Sequence, residues 1–142
     1  MSTAETGAAE KPAPQRPLPS LADPDTAAFW RATGEHRLTY QQGDDGRVVF
    51  FPRRHGGGQV RDSAGLGEIY TFTVVRQHGH PFFRAHAPYV VALVDMDEGF
   101  RVMAEVDVDP ADVHIGLRVR VGWEDHEVGS ERLAIPVFGP AG

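Results

Sequence analysis

Residues 88–106 read PYVVALVDMDEGFRVMAEV, and this stretch decides the fold. Tyr89 to Met96 is almost wholly apolar, rich in Val, and too short for a helix that must bury itself. It reads as a strand covered on both faces. Asp97-Glu98-Gly99 is turn chemistry. Arg101 to Asp107 then returns with Val102, Ala104 and Val106 on one face, the period of two that marks a strand. The unit is an antiparallel hairpin.

Reading toward the C-terminus, Asp109-Pro110 opens a short helical segment. Leu117 to Trp123 alternates, with Leu117, Val119, Val121 and Trp123 inward and Arg118 and Arg120 outward. Ala134 to Phe138 is a last strand, and the acidic stretch Glu124 to Glu131 forms the loop before it. Reading toward the N-terminus, Glu68 to Arg76 is a first long strand. Three strands, a helical connection and two more strands are the order of an OB-fold barrel. Tyr70, Phe72, Val91, Leu93, Val119 and Val121 are its expected core, sufficient without help from the rest of the chain. No segment repeats.

Upstream of the barrel the pattern changes. Arg47 to Phe51 reads as a strand stopped by Pro52, preceded by the turn Gly43-Asp44-Asp45-Gly46 and followed by the flexible Gly56-Gly57-Gly58. Asp23-Pro24 reads as a helix start, with Asp as the cap and Pro at the first helical position. The helix is expected to run to about His36, with Phe29, Trp30 and Thr33 on its apolar stripe. Residues 1–19 are rich in Ala, Glu, Pro and Ser, and ordering them costs entropy with little burial in return. They are expected to form a disordered tail. The chain thus divides into a tail (1–19), a helix (20–37), an intermediate segment (38–62) and the barrel (63–142).

Composition narrows the function. With 142 residues one domain is expected. A formal net charge of −6 argues against a general nucleic-acid binder. There are no cysteines, which removes disulfides, thiolate metal sites and thiol nucleophiles. The start of the sequence lacks a basic run followed by an apolar one, and no stretch reaches the roughly 18 apolar residues of a membrane span. A cytoplasmic protein without a membrane partner is expected.

His78, His80 and His86 sit in the loop after the first barrel strand and could ligate a metal, but no carboxylate lies in that loop. A His-rich surface loop is the plainer reading. His55-Gly56-Gly57-Gly58 matches an oxyanion-hole string, yet no Gly-x-Ser-x-Gly elbow accompanies it. Asp95, Asp97, Glu98 and Gly99 lack the spacing of a calcium loop and read as a solvated turn. Asp107, Asp109 and His114 are candidate bases for a weak thioesterase or hydratase, with nothing to position them. Arg47, Arg53, Arg54 and Arg61, with His55, form a stretch free of Asp and Glu from Gly46 to Arg61. It suits the phosphates of an anionic ligand or an acidic partner, against the alternative of a solvated loop. Phe50 and Phe51 beside it stack on a ring or pack in a core. Phe29 and Trp30 either dock the helix or, if it projects, anchor a partner.

Five segments carry a resemblance in matching order: PLPSLADPDTAAFW (17–30), GLGEIYTFTVV (65–75), PYVVALVDMDEGFRVMAEV (88–106), IGLRVRV (115–121) and IPVFGP (135–140). From about Pro17 to Pro140 the chain resembles the acyl-CoA-associated OB-fold family catalogued as the domain of unknown function number thirty-five. The resemblance implies a mainly β protein: a helix, a rubredoxin-like zinc ribbon over residues 38–62, and the five-stranded barrel. It implies a non-catalytic accessory subunit in a hetero-oligomer with a thiolase-like enzyme (a thiolase or lipid-transfer-type aldolase) or a hydratase. That subunit assists acyl-CoA handling in lipid or sterol side-chain degradation. The ribbon and helix would then receive the thioester or bridge enzymes. The candidate acyl-CoA residues are Arg47, Arg53, Arg54, His55 and Arg61. The candidate partner contacts are Phe29, Trp30, Phe50 and Phe51.

One departure matters. The family ribbon carries two Cys-x-x-Cys pairs flanking a segment like GRVVFFPRR, which survives here as Gly46 to Arg54. The pairs fall near Gln42 and Asp45 and near Gly56 and Gln59, and four good ligands are lacking. A zinc-free, degenerate ribbon is expected, with no other cofactor. The rival reading is an OB domain for single-stranded nucleic acid, which needs a basic groove with stacking aromatics. The net charge and the acidic stretch Glu124 to Glu131 count against it.

Overall fold

A computed structural model describes residues 13–54 and 57–142. Helix α1 spans Ala27–Gly34. Strands β1 (Thr39–Gln42), β2 (Val48–Val49) and β3 (Gln59–Asp62) form a small sheet in the order β2-β1-β3. Strand β4 (Leu66–Val75), helix α2 (Pro81–His86) and strands β5 (Tyr89–Met96), β6 (Arg101–Val106), β7 (Arg118–Val128) and β8 (Glu131–Pro140) follow. The last five strands close a barrel in the order β4-β5-β6-β8-β7. Neighbours are antiparallel except β6 and β8, which meet in parallel at Glu105–Val137 and Val106–Phe138. The OB-type barrel is therefore as the alternation predicts.

The decisive hairpin forms as read. Gly99 closes it at φ +103°, with its N–H on the Met96 carbonyl. Val90, Ala92, Val94 and Met96 are buried, and the residues between them are half-buried. The expected core needs correction at Tyr70, Val91 and Leu93: the inward face of β5 carries Val90, Ala92 and Val94, one residue out of step with the expectation, and Val91 and Leu93 lie on the half-buried outer face. Tyr70 is 51% exposed because a bulge between Ile69 and Thr71 shifts the register against β5. Past a bulge, the alternation that assigns faces is offset by one residue. Ile69, fully buried, takes the inward place.

Four local expectations change. The loop holding His78, His80 and His86 contains α2: the His80 side chain accepts from the Phe82 N–H at 3.1 Å, and Pro81 follows as the first helical residue. Asp109-Pro110 opens a turn rather than a helix, with Asp109 accepting from Ala111 N–H at 2.8 Å. Strands β7 and β8 run on through the acidic stretch, so Glu124 to Val128 pair with Glu131 to Ile135 in a long hairpin. Helix α1 starts at Ala27, three residues later than expected, because Asp23 first closes a turn on Asp25 N–H. It ends where His36 takes a left-handed φ of +60°, with the N–H groups of Glu35, His36 and Arg37 turned back on Ala32 and Thr33.

The helix lies on that long hairpin. Buried Thr33 ties the two together: its Oγ1 accepts from the Ala134 N–H at 3.0 Å and donates to the Trp30 carbonyl. The His36 ring stacks on Trp123, centroids 5.6 Å apart, and hydrogen-bonds Asp125. The small sheet is also part of the core. Leu38, Tyr40 and Phe29 belong to one buried cluster with the barrel residues Phe100, Val102 and Val106. Tyr40 and Phe50 each stack on Phe100. Contrary to the expectation from sequence, the barrel does not bury its core alone; helix and sheet cover one side of it. No helix among the described residues is long and apolar enough to cross a membrane.

Candidate functional site

The four aromatic residues singled out from sequence come together. Phe29, on α1, meets Trp30, Phe50 and Phe51 edge-on at 4.9, 5.5 and 5.0 Å. Such T-shaped contacts set positive ring edges against negative faces. Phe29 is only 3% exposed, so it is the centre of this cluster and not a surface anchor. Phe51, 39% exposed, carries the cluster to the surface.

The basic residues divide. Arg53 and Arg54 border a cleft of about 580 Å³ between α1 and the small sheet, with Arg31 and Arg37 on its other sides and Phe29, Pro52 and Val60 among its apolar lining. Arg47 lies at the tip of the sheet beside Asp45. Arg61 sits on β3 next to Val60, so alternation turns it to the opposite face from the cleft. His55 lies outside the described residues. Sequence reading thus found two of the cleft's four arginines and missed Arg31 and Arg37, whose convergence depends on how α1 docks.

The positioning of Arg53 and Arg54 is explicit. Buried Gln41 holds the Arg53 backbone at two points: its amide donates to the Arg53 carbonyl at 2.9 Å and its oxygen accepts from the Arg53 N–H at 3.1 Å. Asp25 accepts from the Arg54 N–H at 3.0 Å and pairs with the Arg53 guanidinium at 3.0 Å. Arg31 pairs with Glu131, and Arg37 with Glu35 and Asp62. Hydrogen bonds donated to these carboxylates hold both guanidinium groups above their ordinary pKa. The Arg54 side chain has no ion pair among the described residues and is the cation available to a ligand.

A second, apolar groove of about 330 Å³ lies on the other side of Phe29, between the aromatic cluster and the outer faces of β5 and β6. Arg16 closes one end. This residue belongs to the segment expected as disordered tail, yet its side chain is 8% exposed. Its Nε donates to Glu124 at 2.6 Å, its Nη2 reaches Glu124 and Glu105, and its guanidinium lies 4.7 Å from the Phe82 ring centroid. Burial pushes the Glu124 carboxyl up, but hydrogen bonds from Arg16 and His126 outweigh it and leave the group below the usual range.

A DUF35 domain-containing scaffold protein of Pyrococcus furiosus is 30% identical over 102 residues, covering 66% of this chain and 74% of the relative. The chain belongs to the DUF35 family. Residues 60–124 match the family model of the ChsH2 C-terminal OB-fold domain. A chain of the solved Ltp2-ChsH2(DUF35) aldolase superposes with a TM-score of 0.68 and 31% identity, covering 89% of this chain and all of that one. A probable enoyl-CoA hydratase alpha subunit of Thermomonospora curvata is 31% identical over 93% of this chain. This chain spans only 42% of that relative. For the 3-oxo-4,17-pregnadiene-20-carboxyl-CoA hydratase alpha subunit of Mycobacterium tuberculosis, the identity is 33% over 71% of this chain and 34% of the relative.

In this DUF35 chain the small sheet closes around the positions that the resemblance expects near the ribbon's ligands. Gln42 pairs with Gln59 across β1 and β3, and Gly58 packs so closely that an added Cβ meets the Gln42 carbonyl at 2.5 Å. Asp45 faces its own loop, accepting from the Arg47 N–H. The histidines of the β4–β5 connection do not converge: His80 caps α2, His78 accepts from the His80 N–H, and His86 hydrogen-bonds Glu105 at 2.6 Å. The acidic turn residues are also separately engaged, Asp95 by Arg101, Asp97 by Arg118 and Glu98 by Ser63. His114 hydrogen-bonds the Ile115 carbonyl at 3.0 Å.

Proposed function

We propose that this chain is a non-catalytic accessory subunit that binds a thiolase-like or hydratase-type enzyme and assists it in handling acyl-CoA. The observation that carries the reading is the match, over 89% of this chain, to the whole of a chain of the Ltp2-ChsH2(DUF35) aldolase. Hydratase alpha subunits and scaffold proteins among the relatives support the same class. The side chains agree with it. Among the described residues no serine or threonine hydroxyl hydrogen-bonds a histidine, the pairing that activates an oxygen nucleophile. The cleft offers Arg54, with Arg53 held beside it, to a phosphate-bearing ligand. The ribbon works without zinc in this reading, held by Tyr40 and Phe50 on Phe100 in place of a metal.

The test is reconstitution. The chain alone should turn over no acyl-CoA, and the partner enzyme's kcat/KM should rise when the chain is added. Arg53→Glu with Arg54→Glu should weaken that effect at least tenfold. Unchanged partner binding and turnover in the double variant refutes the placement of the ligand in the cleft, and turnover by the chain alone refutes the accessory role.

A further inference from the structure

Phe29 is a wall shared by two clefts of opposite character. On one side stand the arginines. On the other lies the apolar groove, lined by Trp30, Phe51, Val91, Met103 and Ile135 among others. Its charged lining residues, Arg16 and Glu105, are engaged with each other and with Glu124 and His86. A ligand entering the groove gains apolar contact and meets no free side-chain charge. A group with polar atoms of its own would lose hydration without compensation, whereas a hydrocarbon loses nothing. The groove's volume is at the small end of the range for ligand sites, enough for one segment of a molecule rather than a whole thioester. Met103 is 72% exposed on its strand, and its unbranched thioether adapts to irregular apolar shapes.

We propose that this groove receives the hydrocarbon part of an acyl thioester whose anionic portion stays on the arginine side of Phe29. The proposal rests on the reading of the chain as an acyl-CoA-handling subunit and specifies what its second cleft holds. An amphiphile with one anionic and one apolar end meets a cationic cleft and an aromatic groove whose two charged lining residues are already paired, with Phe29 lining both.

Calorimetric titration of the purified chain with CoA, acetyl-CoA, hexanoyl-CoA and decanoyl-CoA tests it. Affinity should rise with chain length, on the order of tenfold for each two methylenes buried, until the groove is filled. Met103→Glu, at an exposed position where folding is not at stake, should flatten this dependence. Arg54→Glu should weaken every ligand by a common factor and leave the dependence on length. Affinity independent of length, or no binding of any thioester, overturns the groove proposal. If Met103→Glu instead abolishes enzyme binding with no length dependence in the wild type, the groove is a protein interface and the proposal fails while the accessory role stands. Length-dependent binding by a chain that joins no enzyme keeps the groove and sinks the accessory role.

Discussion

Arg16 grips Glu124 across 108 residues of sequence, with Nε 2.6 Å from one carboxylate oxygen and Nη2 3.0 Å from the other. This two-point contact fixes the N-terminal segment against the barrel and completes one end of the apolar groove. Removing it leaves Glu105 and Glu124 half-buried and short of a donor. Arg16→Ala is expected to lower stability by about 1–2 kcal/mol in chemical denaturation, and Arg16→Lys to restore only part, since an ammonium cannot make the parallel pair.

The same latch has a pH signature. The Glu124 pKa is depressed in the folded state, where burial raises it but the Arg16 and His126 hydrogen bonds lower it further. A depressed carboxylate contributes stability that is complete above its unfolded pKa, about 4.3, and lost as pH falls through the folded value. Wild type and Arg16→Ala should therefore differ at neutral pH and converge below about pH 4. A gap that persists undiminished at pH 3 contradicts this origin.

Thr33 makes the bond that seats α1 on the β8 backbone, and it is fully buried. Thr33→Val keeps the volume but strands the Ala134 N–H. The expected loss is about 1–3 kcal/mol, measured as a lower denaturation midpoint at unchanged slope.

Gly34, the last residue of α1, approaches the hairpin so closely that a Cβ there meets the Arg132 carbonyl oxygen at 2.6 Å. Helix propensity alone favours alanine over glycine by about 1 kcal/mol. Gly34→Ala should nevertheless destabilise, because the obstacle is backbone. A stabilised variant would show that helix and hairpin are not seated as described.

Purified protein should carry less than stoichiometric zinc by elemental analysis, given Gln42, Asp45 and Gln59 near three of the family's ligand positions. One tightly held zinc per chain contradicts this.

What sequence conveys here depends on whether burial shows as a period. Val90 to Met96 and Val102 to Val106 bury alternate residues, so the barrel hairpin is legible. The continuation of β7 past Trp123 is not, because the stretch 124–131 is mostly polar and its Glu124, Asp125 and Glu131 pair with Arg16, His36 and Arg31 across the fold. Ion pairs between distant segments leave no local pattern. Helix α2 did carry a signal, the His80 cap before Pro81. The arginines of the cleft were half legible: the charge run marks Arg53 and Arg54, but strand alternation and the docking of α1 decide which others join them.

The central claim is tested most directly by isolating the tagged chain from its native cell and identifying what accompanies it by mass spectrometry. The account predicts a thiolase-like or hydratase-type enzyme in near-stoichiometric amount, retained at moderate salt. A chain that comes away alone, or with single-stranded nucleic acid lost steeply as salt rises, would contradict it.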